Sequence, residues 1–248
     1  MQQLILQAAT VLAQAQRVVC LTGAGVSAES GVATFRDAQT GLWSHFDAQQ
    51  LASQAGFAAN PGLVWRWYMD RLHTVEQTKP NPGHWALAQL EQRVPVFTLA
   101  TQNVDNLHER AGSRSVLHIH GRITHMRCNR CGFAHPLEEA ERKQPLPPLC
   151  WQCGGYIRPD VVWFGEALPG RITDLAWRAA ERCDVMLVVG TSGVVYPVAQ
   201  LPLLAQQRGA IIIDVNPDCT PISEIADLFL QGASGTILPQ VVKAIETK

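Results

Sequence analysis

The run Val18-Val19-Cys20-Leu21 has the length and β-branched character of a buried strand, and it leads into a turn built on Gly23 and Gly25. The residues after the turn can open a helix. A strand, a glycine turn and a helix start in that order point to an α/β layout and to a site for a dinucleotide pyrophosphate. The turn lets backbone approach a ligand closely, and the helix N-terminus offers free N–H groups and the positive end of its dipole. Gly23, Gly25 and Ala28 satisfy the spacing G-x-G-x-x-G/A, but ordinary turns share it, so the rest of the chain must decide what the ligand is for.

Strand-like and helix-like segments alternate along most of the chain. Residues 3–16, 84–92, 171–182, 197–208 and 239–247 carry helical patterns. Residues 94–100, 185–189 and 211–215 are apolar runs of strand length. This rhythm predicts a Rossmann-like parallel sheet with helices on both faces. The polar loops 23–36, 101–106, 190–192 and 216–218 then fall at the carboxyl ends of strands, where such sheets bind ligands. Two segments break the pattern. Residues 40–79 hold Trp43, Phe46, Phe57, Trp65, Trp67 and Tyr68 and read as a helical insertion that must bury its rings. Residues 126–158 hold two cysteine pairs and several prolines and read as a separate zinc-binding module. The expected organisation is a nucleotide-binding domain from 1–39, 80–125 and 159–248, with both insertions forming a small second domain. No acid stands at a strand end about 20 residues past the glycines, since Asp47 lies in the helical insertion, and this argues against a dehydrogenase.

Charge and composition narrow the partners. A formal net charge of −1 over 248 residues disfavours a protein built to grip nucleic acid. No run approaches 18 apolar residues, so no membrane span is expected. The N-terminus lacks a basic leader and reads as a packed helix, which implies a cytoplasmic protein. The seven cysteines agree, because four fall into C-x-x-C pairs and an odd total fits no disulfide framework.

Cys128, Cys131, Cys150 and Cys153 form C-x2-C-x18-C-x2-C, a spacing that presents four thiolates to one ion. Four protein ligands leave no open position, so the zinc is expected to be structural. His118 and His120 share a face of an extended segment; His118 reads as a hydrogen-bonded structural residue, and His120, beside Gly121, as the candidate general base. Gln102, Asn103 and Asp105 supply donors and acceptors after a strand and equally suit a helix cap. Tyr68 and Arg71 lie three apart on one helix face and together suit a carboxylate, although by composition alone Arg71 reads as a solvated partner of Asp70 or Glu76. The extended stretch 158–166 is either an edge that captures a peptide or an ordinary buried strand.

In this combination the sequence resembles the sirtuins, the NAD-dependent protein deacylases. The resemblance runs from Val18 to Pro239 through Gly23–Ser27, Thr34-Phe35-Arg36, Thr101–Asp105, His120-Gly121, the cysteine quartet, 161–166, Gly190-Thr191-Ser192 and Asn216. It implies that Gly23, Ala24, Gly25, Val26 and Ser27, with Ala33, Thr34, Phe35 and Arg36, hold the phosphates and nicotinamide ribose of NAD. Gln102, Asn103 and Asp105 would position that ribose and the carboxamide, with Asn103 also catalytic. Gly190, Thr191, Ser192, Asn216 and Ser234 would face the adenosine half, and Val162, Phe164, Gly165 and Glu166 would line an acyl-lysine peptide groove. The implied chemistry has the acyl oxygen attack C1′ of the nicotinamide ribose, after which His120 activates a ribose hydroxyl. Tyr68 and Arg71 resemble the Tyr-x-x-Arg pair of the bacterial class III subgroup that removes succinyl and malonyl groups. The cofactors implied are NAD as co-substrate and one zinc ion; the partners are acyl-lysine proteins, met by a monomer. Ala33 replaces a usual proline, Ser234 a usual alanine, and 216–218 depart from the common pattern. The competing readings are ADP-ribosyl transfer or NAD glycohydrolysis at the same site, and a zinc-ribbon module that only binds a nucleotide.

Overall fold

In the computed structural model, which describes residues 1–32 and 48–246, the first strand is β1 (Arg17–Thr22). It is buried on both faces because its residues alternate between two apolar layers. Val18 and Cys20 join a cluster with Ile5, Leu12, Leu87 and Leu90, while Val19 and Leu21 join Ala176, Ala180, Met186 and Leu201. Parallel pairing extends from β1 in both directions. On one side lie β2 (Val96–Thr101) and β3 (Val116–His118). The small antiparallel sheet supplies β4 (Gly121–Cys128), β5 (Ala134–His135) and β6 (Ile157–Val161). On the other side of β1 lie β7 (Val185–Val189), β8 (Ile211–Asn216) and β9 (Leu228–Gln231).

The large sheet has the order β3-β2-β1-β7-β8-β9, which reverses direction between β1 and β7. In a doubly wound sheet the crevice at such a reversal, beyond the carboxyl ends of the strands, is where a ligand sits. Helices Gln2–Gln14, Pro82–Glu91 and Ser234–Glu246 cover one face, and Gly170–Ala180 and Leu201–Gln207 cover the other. The parallel sheet with helices on both faces is therefore as the sequence predicts.

Three elements differ from expectation. The last helix starts at Ser234, not near 239, and runs through Pro239. A tertiary contact sets its start: Glu29 Oε1 accepts from the Ser234 hydroxyl (2.8 Å) and the Gly235 N–H (2.9 Å). The segment expected as one helix over 197–208 is a short 3₁₀ turn, Val198–Gln200, followed by Leu201–Gln207. The edge strand β9 carries no strong sequence signal and is held by pairing with β8.

The helical and zinc insertions share one core. Helices Gln54–Ala59 and Pro61–Gln77 contribute Phe57, Val64, Trp65, Trp67, Tyr68 and Leu72, which pack against Met126, Cys128, Cys150, Ile157 and Trp163. This is where the aromatic rings find cover; Trp43 and Phe46 lie outside the described residues. β4 and β6 run continuously across the boundaries expected at 125/126 and 158/159, so the small sheet is rooted in the polypeptide of the large one. The long helix starts where Asn60 Oδ1 accepts the Leu63 N–H at 3.0 Å, with Pro61 in its first turn.

Candidate functional site

The turn after β1 meets the turn after β7. The Gly23 N–H donates to Val189 O (3.0 Å) and the Gly25 N–H to Gly190 O (2.8 Å). A Cβ on Gly25 would stand 2.7 Å from Gly190 O, and one on Gly23 2.7 Å from Thr191 Cβ. Gly190 itself has φ +59°. The glycines therefore let two backbone turns interlock at the sheet reversal, a role the spacing alone does not reveal. The helix that follows, Gly25–Ala28, is a single turn. Ala33, Thr34, Phe35 and Arg36 lie outside the described residues. Two side chains tie neighbouring strand ends to this junction: Gln102 Nε2 donates to Thr191 Oγ1 and Asn216 Nδ2 to Thr191 O, both at 2.8 Å.

Behind the turn lies a buried polar network. Ser27 Oγ donates to Asp105 Oδ2 (3.0 Å) and accepts from Asn103 Nδ2 (3.1 Å). Asp105 Oδ1 accepts the Leu107 N–H (3.1 Å), so the expected turn-capping role and the clustering coexist. Burial pushes the Asp105 carboxyl pKa up, against the pull of Leu107, Ser27 and His118. Two histidines that sequence reasoning missed complete the network. His84 Nδ1 accepts the Asn81 N–H (3.3 Å), which leaves the proton on Nε2, 3.5 Å from Ser27 Oγ. Burial holds the His84 pKa down at about 4, so the ring is neutral. The His108 ring lies 4.9 Å from that of His84, tilted by 56°, and bonds Thr22 Oγ1 at 3.0 Å. Both sit in segments whose sequence reads as helix starts, so no local signal marks them.

His120 Nδ1 lies 3.1 Å from Gln102 O, a carbonyl that can only accept. The proton therefore sits on Nδ1, and Nε2 carries a lone pair, the form a general base requires. Burial lowers the His120 pKa below the ordinary 6.5, despite the opposing bond to Gln102. His118 is buried between Asn103 O (3.2 Å) and Glu109 Oε1 (2.6 Å), with no nitrogen to spare. The two histidines of L-H-I-H-G are thus separated into a structural one and a reactive one.

In the small domain Tyr68 is buried and its hydroxyl accepts the Trp163 indole N–H at 2.8 Å. Burial pushes the phenol pKa up to about 12. The Arg71 guanidinium stands 5.0 Å over the Trp67 ring. Among the described residues no carboxylate pairs with it, so the expected partners Asp70 and Glu76 do not hold it. Burial lowers its pKa, with Tyr68 and Asp105 opposing, and it remains a cation.

Residues 162–166 leave the end of β6. The Val162 N–H donates to His120 O and the Phe164 N–H to Ala52 O, both at 2.9 Å, so this segment bridges the base and the helical insertion. Phe164 and Gly165 are exposed. Glu166 is committed inward. Its carboxylate takes both terminal nitrogens of the fully buried Arg158 (2.6 and 3.1 Å), Gln54 Nε2 (2.6 Å) and the Trp163 N–H (2.9 Å). Burial raises the Glu166 pKa, but the bonds from Arg158, the Trp163 N–H and Gln54, with the Arg158 charge, together outweigh it and lower the pKa. A cavity of about 570 Å³ opens beside this segment, lined in part by Val162, Glu166, Arg127 and Asp160.

The sulfurs of Cys128, Cys131, Cys150 and Cys153 lie within 4.8 Å of one another. Cys128 Sγ also accepts N–H groups from Arg130 (3.3 Å) and Cys131 (3.5 Å), and a Cβ on Gly155 would crowd it at 3.1 Å. The donor set fits one structural zinc ion with no vacant position.

A doubly wound sheet with a ligand crevice at its reversal, a histidine base beside it and a four-thiolate satellite define a nucleotide-dependent enzyme with a structural zinc module. The sequence pattern of the Sir2 family matches residues 23–197. The chain is 47% identical over 244 residues to NAD-dependent protein deacylase 2 of Pyrobaculum aerophilum, covering 97% of this chain and 95% of that one. It is 48% identical over 239 residues to NAD-dependent protein deacylase 1 of Pseudomonas aeruginosa, covering 94% and 96%. Among solved structures, a Sir2 homologue in complex with NAD superposes with a TM-score of 0.92 at 46% identity, covering 97% of this chain and 93% of that one. Sir2Af2 bound to a myristoylated histone peptide superposes with a TM-score of 0.82 at 36% identity, covering 100% and 98%. The chain belongs to the Sir2 family.

Proposed function

We infer that the chain is an NAD-dependent protein-lysine deacylase, converting NAD, water and an acyl-lysine into free lysine, nicotinamide and O-acyl-ADP-ribose. The observation that carries this reading is His120, whose Nδ1 is tied to Gln102 O so that Nε2 is left as a base beside the sheet reversal. NAD supplies the electrophilic ribose carbon and the nicotinamide leaving group. The donor set at the crevice fits it: amides and hydroxyls at Ser27, Gln102, Asn103, Thr191 and Asn216 suit ribose hydroxyls and a carboxamide, and the residues around Gly23 suit phosphates.

In this assignment Gly23–Ser27 and Ala33–Arg36 hold the phosphates and nicotinamide ribose, and Gln102, Asn103 and Asp105 orient that ribose and the carboxamide. Gly190, Thr191, Ser192 and Asn216 face the adenosine. Ser234 meets it through its backbone, since its hydroxyl is engaged with Glu29. His120 Nε2 takes the proton of a ribose hydroxyl. Val162, Phe164 and Gly165 line the peptide groove, and Glu166 holds that segment in shape through Arg158.

Acidic acyl groups, succinyl and malonyl, are the proposed preference beside acetyl. A buried tyrosine hydroxyl and a guanidinium with no carboxylate paired to it among the described residues suit an incoming carboxylate. The enzyme is proposed to act as a monomer, which its mass in solution tests. It is proposed to be cytoplasmic, because the four-thiolate site and the free thiols of Cys20, Cys183 and Cys219 suit reducing surroundings. Among the described residues no helix is long and apolar enough to cross a membrane.

The acyl preference is tested by comparing kcat/KM for succinyl- and acetyl-lysine peptides in the wild type and in Arg71→Met. The succinyl value should collapse far more than the acetyl value; equal losses would make Arg71 a structural residue.

A further inference from the structure

The fully buried Arg158 does not touch the assigned groove, yet it organises one wall of it. Its guanidinium lies 3.1 Å from the centroid of the Trp163 ring, and its Nη2 donates to Val161 O at 2.6 Å while both terminal nitrogens grip Glu166. Trp163 also meets Phe57, with ring centroids 5.1 Å apart and the planes tilted by 52°. Trp163 is 2% exposed and held by both contacts, with its N–H aimed at Tyr68 Oη.

This aim has a chemical consequence. An indole N–H can only donate, so at the Tyr68 oxygen it fills an acceptor position. The phenol proton must then point away from Trp163. Among the described residues no acceptor takes it, and Arg71 stands one helical turn further along the same face. The phenol is thereby held as a donor whose proton stays free, with the Arg71 charge close enough to act on it. A freely rotating hydroxyl would spend part of its time with its lone pairs turned to an incoming carboxylate, which repels it.

We propose that Trp163, clamped by Arg158, is a positioning residue for acyl selectivity: its indole N–H holds Tyr68 as a hydrogen-bond donor to acidic acyl groups. The proposal rests on the assignment of Tyr68 and Arg71 to the acyl carboxylate. It adds a residue the family motif of Tyr-x-x-Arg does not contain, and it places the Arg158–Glu166 pair in the chain of causes.

Trp163→Phe keeps an aromatic ring beside Arg158 and Phe57 and removes the donor. The ratio of succinyl to acetyl kcat/KM should fall about three- to tenfold, the worth of one hydrogen bond. The change should enter through the KM for succinyl peptide, with the KM for NAD unmoved. In a Tyr68→Phe background the same replacement should leave the ratio where Tyr68→Phe alone puts it. An unchanged ratio in Trp163→Phe, while Arg71→Met collapses it, overturns the proposal and leaves the acyl assignment standing. An unchanged ratio in Arg71→Met as well removes that assignment itself. A measurement on the unaltered enzyme covers the case of a poorly folding variant. The Trp163 indole ¹⁵N–H resonance, identified by its shift in Tyr68→Phe, should move when succinyl-lysine peptide binds and move much less with acetyl-lysine peptide; equal movement with both contradicts the proposal.

Discussion

His120 is the side chain on which the chemistry turns, and its tautomer follows from one carbonyl, Gln102 O. Because burial lowers its pKa below 6.5, the basic form persists to lower pH than for a solvated histidine. The acid limb of the pH profile of kcat/KM should therefore have its midpoint below 6.5; a midpoint above 7 would mean another group acts as base. His120→Tyr should abolish deacylation while leaving the thermal transition close to that of the wild type. Several such roles are legible in sequence and several are not. The H-x-H pattern marks two histidines, but only the contacts to Glu109 and Gln102 divide them into a structural residue and a base. Tyr68 and Arg71 share a helix face by spacing but stand out only through the family resemblance, whereas Trp163, 95 positions away from Tyr68, is joined to it only by the fold. His84 and His108 escape notice because their local sequences read as helix starts, and their meeting under Ser27 is a property of packing.

The strand–turn–strand junctions carry the second set of consequences. Gly25→Ala puts a Cβ 2.7 Å from the Gly190 carbonyl, so backbone must shift. We expect about 1–3 kcal/mol of lost stability by urea unfolding, typical of overpacking a close-fitting site; a loss below 0.5 kcal/mol would show that the two turns are not interlocked. Asp214 on β8 is fully buried, one carboxylate oxygen accepts the Ser223 hydroxyl at 2.6 Å, and the other has no partner among the described residues. Burial raises its pKa from 3.8 to about 6, against that bond. The folded state thus holds a proton the unfolded chain has released, so the group's stabilising contribution is complete below about pH 4 and is lost as pH rises through 6. Asp214→Asn should raise the melting temperature at pH 8 and change it little at pH 4; no gain at pH 8 would show that the ionised carboxylate is better solvated than its burial implies. The strands themselves were readable, because β1, β7 and β8 are apolar runs that the sheet buries on both faces. The start of the last helix was not, because Glu29, about 200 residues upstream, sets it.

The two lobes are built on different principles. The parallel sheet is held by apolar layers on both faces, whereas the small sheet depends on four thiols gathered within 4.8 Å. Zinc removal by a strong chelator should unfold the small lobe first and carry Tyr68, Trp163 and Phe57 with it, since they share its core. Desuccinylation should then be lost together with the near-ultraviolet signal of those rings, while far-ultraviolet ellipticity from the large lobe is mostly kept. Composition and periodicity were enough for the large lobe and the metal module. They place both insertions in one small domain but do not reveal the contacts that unite its core, because pairs such as Phe57–Trp163 join segments separated by more than 100 residues. The central claim is that this assembly breaks NAD to remove an acyl group from lysine. Its most direct test is mass spectrometry of the enzyme incubated with NAD and a succinyl-lysine peptide. Nicotinamide, free lysine peptide and O-succinyl-ADP-ribose should appear in equal amounts; intact NAD, or ADP-ribose formed with the succinyl group still on lysine, would contradict the account.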